Sequence, residues 1–179
     1  MYKLLLSLSF LLFVFGCSDS AEEEQEMEMN CSGTLTIDVD GQSVSYAQPQ
    51  SAFLVENQLV GGSELGVLWS GNSGNVNFQL VIDLAGESCV PVGTYTLGSL
   101  PSSVSIFSLQ YTSLSKQVSV SNVFETDGQS GWIEIISCDA ENDIIDVRFE
   151  FTGTQPFGSD TPVVVTGGIS EDICFSRMK

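Results

Sequence analysis

Apolar and polar residues alternate with a period of two through most of residues 31–179, and this pattern limits the possible folds more than any other feature. In the longest run, every second residue from Val76 to Leu84 is apolar. Successive side chains of a β-strand point to opposite faces, so such a run predicts a strand with one buried face. No long stretch has the 3.6-residue period of an amphipathic helix. The region therefore predicts an all-β domain.

The first turn of this region is encoded locally. An Asp-Gly pair at positions 40–41 lies between alternating runs at residues 35–39 and 42–46. Asp-Gly favours a two-residue hairpin turn because both positions adopt positive φ. A two-residue loop pairs Ile37 with Val44, and the apolar residues of both runs then share one face. Turn and pattern agree, which predicts a β-hairpin.

Later runs bounded by Gly, Asn, Asp and Ser bring the prediction to about ten short strands. The last of them lie at residues 131–138, 144–152 and 162–169, with a shorter one at residues 173–175. The connections are too short for the helices that join parallel strands, so we expect antiparallel pairing. Two architectures bury the apolar faces of such strands, an antiparallel β-sandwich and a flattened barrel.

Residues 1–16 have the features of a targeting segment rather than of the fold. A basic start containing Lys3 leads into an apolar stretch at residues 4–15. This stretch is shorter than the roughly 20 residues of a membrane-spanning helix and matches the core of a signal peptide. The Val-Phe-Gly-Cys sequence that ends at Cys17 resembles a bacterial lipobox. The resemblance implies cleavage before Cys17 and attachment of a lipid to it.

Residues 17–30 predict a flexible tether between the lipid and the domain. Residues 18–28 contain six carboxylates and no cation, so the segment repels itself and has little to bury. An acidic stretch directly after a lipidated cysteine resembles the surface-export signal of lipoproteins from Bacteroidota. This resemblance implies a position on the outer face of the outer membrane. As a plain spacer, the tether would instead leave the domain facing the periplasm.

Four cysteines remain in the domain once Cys17 is assigned to the lipid: Cys31, Cys89, Cys138 and Cys174. An even number in an exported chain predicts two disulfides, with three possible connectivities. Chain termini often lie close together, which favours Cys31–Cys174 and leaves Cys89–Cys138 as the second bond.

The chain as a whole resembles small single-domain lipoproteins of Bacteroidota that carry an all-β domain of unknown function. The resemblance rests on the acidic tether, the early Asp-Gly hairpin, Gly-Thr-Tyr-Thr-Leu at residues 93–97 and Gly-Trp-Ile-Glu-Ile at residues 131–135. It implies the cellular location and the fold class, and it brings no catalytic residues. The domain comprises residues 31–179.

The charge balance and the residue types exclude several classes of function. The formal net charge is −18, and nucleic-acid binding requires clustered Lys and Arg. The chain has no His, which excludes Ser-His-Asp and Cys-His catalysis and zinc sites that use His. Disulfide-bonded cysteines offer no nucleophile, and the sequence singles out no pair of carboxylates for hydrolysis. We expect the protein not to be an enzyme and to need no cofactor.

Two sets of residues are candidates for binding. Trp132 shares a strand face with Glu134, opposite Ile133 and Ile135, and an exposed Trp on a rigid strand is a ligand platform for a sugar or a protein. The alternative is a strand buried on both faces, as Ile136 suggests.

Asp139, Glu141 and Asp143 supply alternating oxygen ligands that could hold Ca²⁺. The Gly of an EF-hand loop is replaced there by Ile144, and the alternative is a solvated hairpin tip. The sequence as a whole predicts a module that binds a glycan or another extracellular molecule. The alternative is a structural or protein-interaction component of an outer-membrane assembly.

Overall fold

The structure is a computed structural model, and it describes residues 31–56, 61–123, 128–154 and 162–178. The lipobox-like segment, Cys17 and the tether lie outside the described residues. No helix in the described ranges is long and apolar enough to cross a membrane.

The described residues form twelve strands. They are β1 Leu35–Val39, β2 Gln42–Tyr46, β3 Ser51–Glu56, β4 Ser63–Gly71, β5 Gly74–Ile82, β6 Gly93–Thr96, β7 Val104–Thr112, β8 Gln117–Ser121, β9 Ser130–Asp139, β10 Ile144–Thr154, β11 Pro162–Cys174 and β12 Ser176–Met178. Two six-stranded sheets result. Sheet A has the order β2-β1-β11-β10-β9-β6, and sheet B has the order β12-β3-β4-β5-β7-β8.

The two sheets pack face to face as a β-sandwich, which confirms the predicted all-β class; they do not close into the flattened barrel. The first hairpin is also confirmed, with Ile37 paired to Val44 across a turn in which Asp40 and Gly41 have φ of 50° and 83°. The alternating runs fold as strands because each places its apolar residues on the inner face of its sheet.

An aromatic cluster occupies the centre of the sandwich. Trp69 and Phe78 from sheet B meet Phe149 and Phe151 from sheet A, with ring centroids 6.1–6.5 Å apart between contacting rings. The Nε1 atom of Trp69 donates to the carbonyl oxygen of Gly33 at 2.8 Å, so the buried indole N–H is satisfied. Trp69 is therefore a core residue.

Both predicted disulfides are confirmed. Cys31–Cys174 has a Cα separation of 5.5 Å and joins the start of the domain to the end of β11. Cys89–Cys138 has a Cα separation of 6.1 Å and joins the loop after β5 to the end of β9.

The end of the chain departs from the prediction. Residues 162–169 and 173–175 do not form separate strands, because β11 continues from Pro162 to Cys174 through two register shifts against β10. Each shift is a bulge, which breaks the period of two without ending the pairing. The chain then crosses to sheet B, where β12 runs parallel to β3. The sheets are therefore not wholly antiparallel.

Candidate functional site

Trp132 lies on the outer face of sheet A, as predicted. Its neighbours Ile133 and Ile135 are buried in the core, whereas Trp132 is half-buried on the opposite side of β9. Ile136 is 41% exposed at a bulge of β9 against β10, so this strand is not buried on both faces. Pairing with β10 on one side and β6 on the other holds β9 rigidly. The indole is thus presented outward from a fixed backbone.

Four side chains surround Trp132 and define what we name the Trp132 face: Thr96, Glu134, Arg148 and Glu150. Glu150 on β10 and Thr96 on β6 stand directly opposite Trp132 in the register. Such cross-strand neighbours have Cβ atoms about 4.5–5.5 Å apart. Glu134, two residues along β9, is opposite Arg148. The structure therefore brings together the two predicted platform residues, Trp132 and Glu134, and adds three more.

Arg148 connects the members of the Trp132 face. Its guanidinium carbon lies 5.7 Å from the centroid of the Trp132 ring, and its Nε donates to a carboxylate oxygen of Glu134. The pair is on the surface, with half of the Arg148 side chain exposed, so it adds little stability. The main effect of these contacts is to fix the position of Arg148, because the cation–π contact and the ion pair hold its guanidinium between the Trp132 ring and the Glu134 carboxylate. The ion-pair partner of Arg148 is thus on the neighbouring strand β9, opposite it in the register.

In the acidic turn between β9 and β10, carboxylate oxygens of Asp139 and Asp143 are bonded to other groups of the protein. Asp139 accepts from the backbone N–H of Glu141 at 2.9 Å and from the side-chain amide of Asn142 at 2.7 Å. Asp143 forms an ion pair with Arg177 of β12. Among the described residues, no three metal-ligating side chains converge on one point. The calcium site stays a prediction without a matching ligand arrangement, and the contacts fit a closed hairpin tip.

Among the described residues, two carboxyl groups have a displaced pKa, in each case downward. Hydrogen bonding from Lys116, followed by the backbone N–H of Val164, lowers the pKa of Asp40. Hydrogen bonds from the side chain and backbone of Asn142 lower the pKa of Asp139. A general acid needs the opposite displacement, so these groups are held as carboxylates by structural partners.

The outer face of sheet B carries residues that the sequence analysis did not single out. Side chains that alternate with the core residues of β5, β7 and β8 form a neutral polar surface, which we name the amide face. Its members are Asn77, Gln79, Ser108, Gln110, Ser119 and Ser121. The sequence did contain a signal for this face. All six positions are amides or hydroxyls, whereas polar positions elsewhere in the chain are often acidic.

No protein-family profile, no curated protein and no solved structure matches this chain. The likeness to Bacteroidota lipoproteins therefore remains a resemblance of the tether and of strand patterns. The geometry of the two outer faces is the basis for assigning a function.

Proposed function

We propose that this protein is a lipid-anchored, cell-surface, non-catalytic binding module that holds an extracellular glycan against the Trp132 face. The observation that supports this most directly is the half-buried indole of Trp132 on the outer face of a strand paired on both sides. Ile133 and Ile135 occupy the core side of the same strand, so the indole lies outside the core.

The neighbours of Trp132 suit a sugar ligand. An indole face packs on the apolar C–H surface of a sugar ring. The carboxylates of Glu134 and Glu150 accept hydrogen bonds from hydroxyl groups, and the guanidinium of Arg148 donates them. Because Arg148 is already held by Trp132 and Glu134, less conformational entropy is lost on binding.

The proposed anchor is compatible with open sheet faces. A tether of residues 17–30 reaches up to about 45–50 Å when extended. It would join the domain at Cys31, which is bonded to the last residue of β11 at an end of the strands. The lipid would therefore hold the sandwich by one end and leave the Trp132 face accessible.

A protein partner is the second candidate, and one observation favours it. Ile136 and Ile169 are 41% and 50% exposed on the same sheet as Trp132. Trp and Arg beside exposed apolar residues are typical of the energetic centre of a protein interface. This role fits a component of an outer-membrane assembly.

The test compares Trp132→Ala with Leu114→Ala in the full-length protein, purified in detergent and applied to an array of immobilised glycans. Leu114 is an exposed apolar residue between β7 and β8 of sheet B, away from the Trp132 face, so it controls for loss of apolar area. We expect Trp132→Ala to weaken binding to at least one glycan by tenfold or more, since truncation of a stacking aromatic costs more than about 1.4 kcal/mol. Leu114→Ala should bind as the wild type does.

Equal glycan binding by the wild type and Trp132→Ala would contradict the proposal. If Trp132→Ala bound glycans normally but lost an envelope protein that co-purifies with the wild type, the assembly role would replace it.

A further inference from the structure

We infer that the outer face of sheet B is a second binding site, independent of Trp132, which takes a neutral oligosaccharide chain lying across the strands. This site would consist of the amide face together with Phe53 and Gly66. It goes beyond the proposed function because it is on the opposite side of the sandwich and has a different chemistry.

The charge distribution separates the two outer faces. Strands β4, β5, β7 and β8 contain one charged residue, Glu64. Strands β9, β10 and β11 of sheet A contain seven: Glu134, Asp139, Asp146, Arg148, Glu150, Glu171 and Asp172. A solvated sheet face in a chain of net charge −18 would ordinarily share the excess of carboxylates. The other charged residues of sheet B, Glu56 and Arg177, lie on β3 and β12 at its edge. The low charge across β4, β5, β7 and β8 marks a surface suited to a neutral ligand.

The register places the neutral side chains in two rows that cross the sheet. In the first row, Phe53, Gly66, Gln79, Ser108 and Ser121 are successive partners on β3, β4, β5, β7 and β8. Neighbouring strands are about 4.8 Å apart, so a row over five strands is about 19 Å long. That length fits an extended chain of several sugars better than a single ring.

A second row runs beside the first through the next outward position of each strand. Its members are Ser51, Leu68, Asn77, Gln110 and Ser119. Amide groups both donate and accept hydrogen bonds, as do hydroxyls, and this matches the mixed donor and acceptor character of sugar hydroxyls. Asn77 and Gln79 on β5 and Gln110 on the adjacent β7 therefore form the polar centre of the site.

Two depressions meet at Gln79. The first has a volume of about 300 Å³ and lies between Phe53, Glu64 and Gln79. The second, of about 410 Å³, continues from Gln79 past Gln110 to the residues of β8. Both volumes are in the range of ligand sites. Because Gln79 lines both, the two depressions adjoin at this residue, and together we call them the groove.

Gln79 is held in place at this junction. Its Nε2 donates to Oε1 of Glu64 at 2.8 Å, across the pair of strands β4 and β5. The carboxylate of Glu64, the one charged group of these four strands, is thus hydrogen-bonded to the amide of Gln79. A fixed amide at the centre of a groove loses little freedom when it binds.

Phe53 provides a stacking surface at one end of the groove. A Cβ atom at Gly66 would lie 2.5 Å from Cζ and 3.0 Å from Cε2 of Phe53, so the ring lies directly on the backbone of β4. The absence of a side chain at Gly66 is what allows this position. The ring is half-buried and lines the first depression together with Gln79. A flat aromatic ring next to amides is the combination that packs on one sugar face and bonds its hydroxyls.

The experiment uses the full-length protein in detergent and surfaces coated with dextran, mannan and galactan as neutral probes, with polygalacturonate as the anionic probe. We expect binding to at least one neutral polymer and none to polygalacturonate. The variant Asn77→Ala/Gln79→Ala should weaken neutral binding by tenfold or more, and Phe53→Ala should do so as well. Trp132→Ala should leave the affinity for these neutral polymers unchanged.

Ser45→Ala, a polar exposed position on β2 of sheet A, is the matched control and should bind as the wild type does. Melting temperatures of all variants show that each is folded, and Asn77→Ala/Gln79→Ala remains informative if Phe53→Ala is unstable. Binding to none of the neutral polymers, or unchanged binding by Asn77→Ala/Gln79→Ala, would overturn the inference. If Trp132→Ala lost binding to the neutral polymers while Asn77→Ala/Gln79→Ala kept it, the inference would also be overturned. That result would place the neutral glycan on the Trp132 face instead.

Discussion

Gly66 shows how a single residue shapes an outer surface. It lies mid-strand in β4, where glycine normally weakens a sheet because it has no side chain to pack. Here the ring of Phe53 fills that place from the neighbouring strand. The glycine is buried beneath the ring, so the backbone of β4 is shielded from solvent there. The ring in turn lies flat in a fixed position.

This arrangement predicts that Gly66→Ala destabilises the protein through Phe53. The added methyl group would lie 2.5 Å from the ring, and relief of such overpacking costs about 1–3 kcal/mol. In the Phe53→Ala background the same substitution should cost much less. Urea denaturation of the wild type, both single variants and the double variant measures this coupling. Equal costs of Gly66→Ala with and without Phe53 would show that the ring does not rest on the glycine.

Trp132 illustrates how far sequence reasoning extends at this scale. Its side of the strand followed from its alternation with Ile133 and Ile135, and the structure confirms it. Its contact with Arg148 did not follow, because that contact depends on which residues of β10 stand beside β9. Alternation predicts the face of a strand, whereas neighbours on that face depend on register.

At the scale of elements, the strands with regular alternation and short turns were predictable. The first hairpin has its expected register because the Asp-Gly turn fixes the loop length. The bulges of β11 and the parallel pairing of β12 were not predictable. Bulges shift the alternation, and the three residues of β12 are too few and too polar to show a pattern. The groove of sheet B was missed for a related reason, since its rows join residues from five strands.

The disulfides link elements and allow a quantitative prediction. Cys31–Cys174 spans 143 residues and Cys89–Cys138 spans 49. On the chain-entropy model they contribute about 5 and about 4 kcal/mol to stability. Cys31→Ser/Cys174→Ser should therefore be about 1 kcal/mol less stable than Cys89→Ser/Cys138→Ser in urea denaturation. The reverse order would mean that native-state contacts at Cys89 and Cys138, rather than loop entropy, determine the difference.

On the scale of the whole molecule, the two outer faces are chemically different although they share one core. Sheet A exposes charged residues and an indole, and sheet B exposes amides and hydroxyls. The sequence predicted the shared core and the class of fold, because both depend on alternation alone. It left open a sandwich or a barrel, since that choice depends on whether the edge strands meet.

The proposed anchor predicts the behaviour of the whole molecule in cells. Cys17→Ala should abolish labelling by a radioactive fatty acid and release the protein from the membrane fraction, because the thiol that carries the lipid is lost. Unchanged labelling of Cys17→Ala would contradict lipidation at this residue. Protease added to intact cells should remove the domain if it is outside, and full protection would place it in the periplasm.

The bond between Cys31 and Cys174 has a mechanical consequence for a domain held by its N-terminus. If a bound polymer is pulled by flow, the load passes through the sheets to the tether at Cys31. Without the bond, tension would peel β1 away from β11 one hydrogen bond at a time. With it, the pull is shared with the end of β11, which lies between β1 and β10 in sheet A. Under the proposed anchor, the domain would thus be attached through an inner strand, and covalent bonds would carry the load at its point of attachment.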